Sequence, residues 1–121
     1  MNTHPRTEEL ARSVAMWIDE IRPSLDPRNA FLARVAANAL ATVGRELTDG
    51  PAAEAQAIAG MSRVLGHDGG FVDLNSELCA RIRAGEFTVE TPGLLTILTA
   101  IAQNQIAIDQ PSYRPEGTPP P

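Results

Sequence analysis

The chain has 121 residues, the length of one ordinary domain, and is 43% hydrophobic but only 4% aromatic, so alanine and leucine carry the apolar mass and helices are favoured over sheet. A net charge of -5, with no basic run, repels a phosphate backbone and argues against nucleic acid as a partner. All ten basic residues are arginine, which removes Schiff-base, P-loop and kinase-type lysine chemistry, while one cysteine and two histidines supply neither an intramolecular disulfide nor a zinc-ligand set.

A first helix is expected from about Thr7, with Glu8 and Glu9 in its positive first turn and Leu10, Val14, Trp17, Ile18 and Ile21 recurring every three or four residues. The Arg22-Pro23 step ends it. Asp26 followed by Pro27 forms an N-cap and first-turn pair for a second helix, which runs to about Thr48 with Gly50 placed to close it. Pro51 then opens a third, with Ala57, Ile58, Met61, Val64 and Leu65 inward, and Gly66 stops it. A fourth, starting between Gly69 and Asp73, aligns Leu74, Leu78 and Ile82 and ends at Gly85. Thr91 and Pro92 start a fifth that reaches Asp109. The expected fold is all-α, a compact bundle of about five helices over residues 1–110, followed by a disordered proline-rich tail over 111–121.

The apolar window at 94–102 is too short to cross a bilayer, and the first ten residues lack the basic start and apolar stretch of a signal peptide, so a cytoplasmic protein without membrane contact is expected. No cofactor motif is present.

Within the second helix, Ala30, Ala33, Ala37, Ala41 and Gly44 cluster on one side, which predicts a seam of close helix contact and a high cost for enlarging Gly44. Leu32, Val35, Val43 and Leu47 lie on the opposite arc, so this helix should have neighbours on both faces or use one for a second subunit. Arg34, Asn38 and Arg45 share one narrow line on the same helix, within about 40° on the helical wheel. Such a line either meets water, with the arginines tied to neighbouring carboxylates, or holds a phosphate or carboxylate through Arg34 and Arg45 with Asn38 adding an amide hydrogen bond.

Other candidates face simpler readings. His67-Asp68 is a candidate acid–base pair, but a histidine just past a helix end is favoured by the helix dipole alone. Cys79 has no histidine at a spacing that would activate it and reads as a small packed side chain. Glu46 and Glu77 are candidate paired carboxylates, better explained as surface partners of Arg45, Arg81 or Arg83. Tyr113-Arg114 is either a short recognition element or solvated chain. No catalytic residue is assigned.

The ordered segments "IRPSLDPRNAFLARVAANALATVGRE", "GPAAEA", "LGHDGG", "LNSELCARIRAGEF" and "IAIDQPSY" resemble a bacterial family of unknown function, over about residues 5–113. Members of that family are usually encoded beside aminoglycoside-phosphotransferase-like kinases and acyl-CoA dehydrogenases. The resemblance implies no catalytic residues. It implies an accessory in acyl-CoA or phosphorylated-metabolite chemistry. The missing catalytic equipment and the alanine faces favour a non-enzymatic helical accessory or protein-interaction domain, serving such a kinase or dehydrogenase or pairing with itself. The alternatives are a binding module for an acyl-CoA or other anionic metabolite and, resting only on His67 and scattered carboxylates, a hydrolase or transferase.

Overall fold

A computed structural model describes residues 5–113. Among them there are four α-helices, a short 3-10 turn and no strand: α1 Thr7–Ile21, the turn Arg22–Ser24, α2 Pro27–Leu65, α3 Phe71–Arg83 and α4 Leu94–Asp109. The all-helical class is as expected. The number of helices is four, because the Gly50-Pro51 step does not end α2. Proline inside a helix removes the N–H that would bond the carbonyl four residues back, here that of Leu47, but it stops the chain only if the preceding residues leave the helical conformation. Gly50 does not take the left-handed conformation that closes a helix, whereas Gly66 and Gly85 do, at φ 83° and 78°. Of the expected tail, residues 111–113 form an exposed turn closed by the Tyr113 amide on the Gln110 carbonyl, and residues 114–121 lie outside the described residues.

Contacts divide the chain between Pro51 and Ala52 into two compact units. In the N-terminal unit, Glu8 and Glu9 sit at the positive end of α1 and both pair with Arg6 at 3.0 Å. Pro23 ends the helix, and the turn is held by the Ser24 hydroxyl donating to the Ile21 carbonyl at 2.6 Å. Asp26 opens α2, accepting from the Asn29 side-chain amide at 2.6 Å and from its backbone N–H at 3.4 Å. Those hydrogen bonds hold the Asp26 carboxyl below its ordinary pKa. Among the described residues of this unit the buried ones are two alanines, Ala11 on α1 and Ala37 on α2.

The expected alanine seam holds only at its centre. Ala37 is buried and Ala30, Ala33, Ala41 and Gly44 are half-buried, but a Cβ added to Gly44 would meet nothing within 4 Å. Gly44 therefore marks open space rather than close contact.

In the C-terminal unit the core is continuous. Ala57, Met61 and Leu65 of α2, Leu74 and Leu78 of α3, and Leu94 and Ile97 of α4 form one buried cluster, with Ile58, Val64, Phe71, Phe87 and Ile101 packed around it. Met61, Leu74 and Leu78 are almost completely enclosed. The spacing of three and four residues brings each set onto one helical stripe, as the sequence pattern predicts. Ile82, expected on the same stripe, is exposed because α3 ends one residue later and runs past the core. The close approach of α2 and α4 occurs at Gly60, where an added Cβ would overlap the Ile97 side chain. Thr91 and Pro92 belong to a turn, with Thr91 Oγ1 accepting from the Thr88 amide at 2.9 Å, and α4 begins after Gly93 at φ 83°.

Candidate functional site

The line of Arg34, Asn38 and Arg45 lies in the N-terminal unit, where the structure distributes it over two hollows. Asn38 and Arg45 line an open hollow of about 430 Å³ between α1 and α2, facing Arg12 and Asp19 of α1 and Asp49 of α2. Arg34 lines a different hollow, of about 630 Å³, with Arg22, Phe31 and the apolar wall of Pro23, Leu25 and Ala30. Arg45 is half-buried and donates to the Thr42 hydroxyl at 3.1 Å, and that hydroxyl donates in turn to the Asn38 carbonyl at 3.1 Å. Sequence reasoning placed these side chains on one line. It did not show that two carboxylates, Asp19 and Asp49, share the hollow with Arg12 and Arg45, which makes its charge mixed rather than cationic.

A second polar cluster, in the C-terminal unit, was only half visible. His67 follows the left-handed Gly66 that closes α2, and the loop it begins turns back to α3. Its Nε2 lies 2.8 Å from the Glu77 carboxylate and its Nδ1 lies 3.0 Å from the Asp68 carbonyl oxygen. Glu77 is also 3.8 Å from Arg81, whose Nε donates to Glu86 at 2.9 Å and whose guanidinium stacks 4.5 Å over the Phe87 ring. The partner of His67 is thus the side chain of Glu77, while Asp68 contributes its backbone. That pairing spans ten residues across a loop, and no local periodicity reports it.

Both ring nitrogens of His67 face acceptors, so the doubly protonated imidazolium satisfies the geometry best. The Asp68 carbonyl and the Glu77 carboxylate accordingly raise the His67 pKa above its ordinary value, against smaller opposing effects from desolvation and from Arg81. In its protonated form the ring donates to both acceptors and has no free lone pair for proton abstraction. Chemically, this cluster ties the loop after α2 to α3 and leaves Arg81 clamped between two carboxylates.

Cys79 is half-buried on α3. Glu46 belongs to the N-terminal unit and Glu77 is occupied by His67 and Arg81. Among the described residues no group of three His, Cys, Asp or Glu side chains converges as a metal site. No described helix is long and apolar enough to cross a membrane.

A family model described as a domain of unknown function, DUF6285, matches residues 23–113, three-quarters of the chain. The chain belongs to the DUF6285 family. The DUF6285 match begins at Pro23, so it takes in α2, α3 and α4 and leaves α1 outside. No curated protein and no solved structure matches the chain.

The feature that sequence reasoning only touched is the exposed apolar surface of the N-terminal unit. Leu10, Val14 and Trp17 of α1 are 50%, 46% and 58% exposed, and Leu32, Val35 and Val43 of α2 are 47–50% exposed. On the helical wheel, at about 100° per residue, Arg12, Ala15, Met16 and Asp19 of the Arg45 hollow fall to one side of Ala11 on α1, and Asn38, Ala41, Arg45, Thr48 and Asp49 to one side of Ala37 on α2, while Gly44 and Leu40 of the same hollow lie at about 20° and 60° on the other side of Ala37. Leu10, Val14 and Trp17 fall to the other side of Ala11, and Leu32 and Val43 to the other side of Ala37. The two helices follow each other through a short turn, so they run antiparallel, and the two apolar arcs point away from the hollow in the same direction. The hairpin therefore has one face that mixes charged side chains with the exposed Met16 and Phe31, and one face whose exposed large side chains are apolar.

Proposed function

We propose that the chain is a non-catalytic helical interaction domain whose binding surface is the apolar face of the α1–α2 hairpin. One observation carries this reading: seven of the nine exposed large apolar side chains of the unit, Leu47 included, stand on one face, while only two alanines are buried among its described residues. At roughly 100 Å² exposed on each, the face amounts to about 700 Å² of apolar surface, above the ~300–600 Å² of the largest patch on an ordinary monomer. The family resemblance supports an accessory role in phosphotransferase-like kinase or acyl-CoA dehydrogenase systems. A photo-crosslinking amino acid placed at Leu32 in the producing cell, compared with one at Arg63 in the C-terminal unit, tests the reading. A defined protein adduct at position 32 and none at 63 is the expected result; equal, diffuse labelling at both positions would remove the assignment.

A second reading, a binding module for an acyl-CoA or other anionic metabolite, draws on Arg12, Asn38 and Arg45 facing one hollow, with Arg34 in the next. Asp19 and Asp49 in the first hollow weigh against an anion there. Thermal unfolding in the presence of acyl-CoA esters and sugar phosphates distinguishes the readings, because a ligand bound only by the folded state raises the melting temperature, and an Arg34→Gln/Arg45→Gln variant would lose that rise.

A further inference from the structure

We propose that the occupant of the apolar face is the same face of a second copy of this chain, so that two α1–α2 hairpins close into a two-fold, four-helix bundle. The inference rests on the reading of that face as a protein-binding surface and adds the partner's identity.

Area is the first argument. About 700 Å² of apolar surface from the large side chains alone, extended by the exposed Ala36 and Ala39 between them, approaches the ~800 Å² per partner that a stable interface buries. Shape is the second. A two-helix layer with one apolar face lacks the opposing layer that a helical core requires, and an identical hairpin supplies one of matching length and width.

Charge is the third argument. Taking Ala37 as zero on the wheel, the exposed strip of α2 runs from Val35 at about 160° through Ala39, Leu32 and Val43 to Leu47 at about 280°. Arg28 and Glu46 both fall at about 180°, one near each end of that strip, eighteen residues apart along the helix and centred on Ala37. Both are exposed, and neither has an ion-pair partner among the described residues. A two-fold axis crossing α2 beside Ala37 sets the helix antiparallel to its copy. Arg28 of each copy then lies alongside Glu46 of the other, Leu32 alongside Val43, and Val35 alongside Ala39. Opposite charges meet at both ends, and larger side chains meet smaller ones between them.

Sedimentation equilibrium of the full chain at micromolar concentration tests this directly. The wild-type protein is expected at twice the chain mass. Val43→Glu, on the face, should raise the dissociation constant roughly a hundredfold or more, and Val72→Glu, on an exposed position of α3, should leave it unchanged. Arg28→Glu and Glu46→Arg should each weaken the dimer roughly tenfold, since each reversal acts twice across the axis, and the double reversal should restore it. The charge pair decides the matter even if Val43→Glu unfolds the monomer, because both positions are exposed and solvated. A wild-type protein that stays monomeric overturns the inference, as does a dimer broken by Val72→Glu and not by Val43→Glu, or one in which the double reversal fails to recover. If the protein is monomeric while the crosslinker at Leu32 captures a different protein, the inference fails and the interaction reading stands; if position 32 captures nothing defined, that reading fails as well.

Discussion

The two units of this chain are built from the same kind of helix and use it in opposite ways. In the C-terminal unit three helices converge, and Met61, Leu74 and Leu78 meet at their centre with almost no exposure. In the N-terminal unit the buried residues among those described are Ala11 of α1 and Ala37 of α2, and the leucines, valines and tryptophan of the same helices stay half in water. The lesson is geometric. A third helix gives each apolar stripe a second neighbour, whereas a pair of helices can cover only the line along which they touch.

The comparison predicts unequal responses to similar changes. The largest is expected for Leu74→Ala, which empties a fully enclosed site and should cost about 2–5 kcal/mol of folding stability, while Leu32→Ala, measured on dilute protein where association is negligible, should cost under about 1 kcal/mol. Chemical denaturation of both variants checks the pair, and similar losses would mean that the N-terminal face is packed.

Two glycines on α2 sharpen the contrast. At Gly60 a methyl group would overlap the Ile97 side chain, and Ile97 is itself buried, so Gly60→Ala should lose roughly 1–3 kcal/mol. Gly44→Ala meets open space in the middle of a helix and should gain about 0.5–1 kcal/mol from the lower backbone entropy of alanine. Melting temperatures that move in opposite directions are the expected outcome; a loss at Gly44 would restore the tight seam.

The smallest effect concerns pH and belongs to the C-terminal unit. The pKa of His67 is raised in the folded protein, so its contribution to stability is fully present below the ordinary histidine value of about 6.5 and is lost as pH rises through the shifted one. Glu77→Gln removes the charged acceptor, although the Asp68 carbonyl, the larger cause, remains. An NMR titration of the imidazole should therefore find a midpoint above the ordinary value in the wild type and a partial return toward it in the variant. A midpoint unchanged by Glu77→Gln would show that the carboxylate is not a partner in solution.

Much of the fold was legible from residues three and four apart. Ala57, Ile58, Met61, Val64 and Leu65 were read as inward and are buried or packed against the core, and Gly66 and Gly85 were read as stops and are left-handed. The polar sites were legible only in part, because a carboxylate donated by another helix leaves no trace near the arginine it meets. Hence Asn38 and Arg45 were placed together, while Asp19 beside them was not foreseen. Arg81 was among three arginines open to Glu46 and Glu77, and His67 was missed as the other partner of Glu77.

What the sequence determined by itself is therefore the helical class, the starts at Thr7 and Pro27, the glycine stops at 66 and 85, and the stripes that enter the core. Each of these depends on interactions within about one helical turn, where spacing and backbone preference suffice. Tertiary structure decided the rest. It carried α2 through Gly50 and Pro51, made Gly60 and not Gly44 the point of close approach, and set His67 against Glu77. It also decided which apolar residues are covered, since a stripe read from sequence specifies a face of one helix and only the number of neighbouring helices determines whether that face meets protein or water.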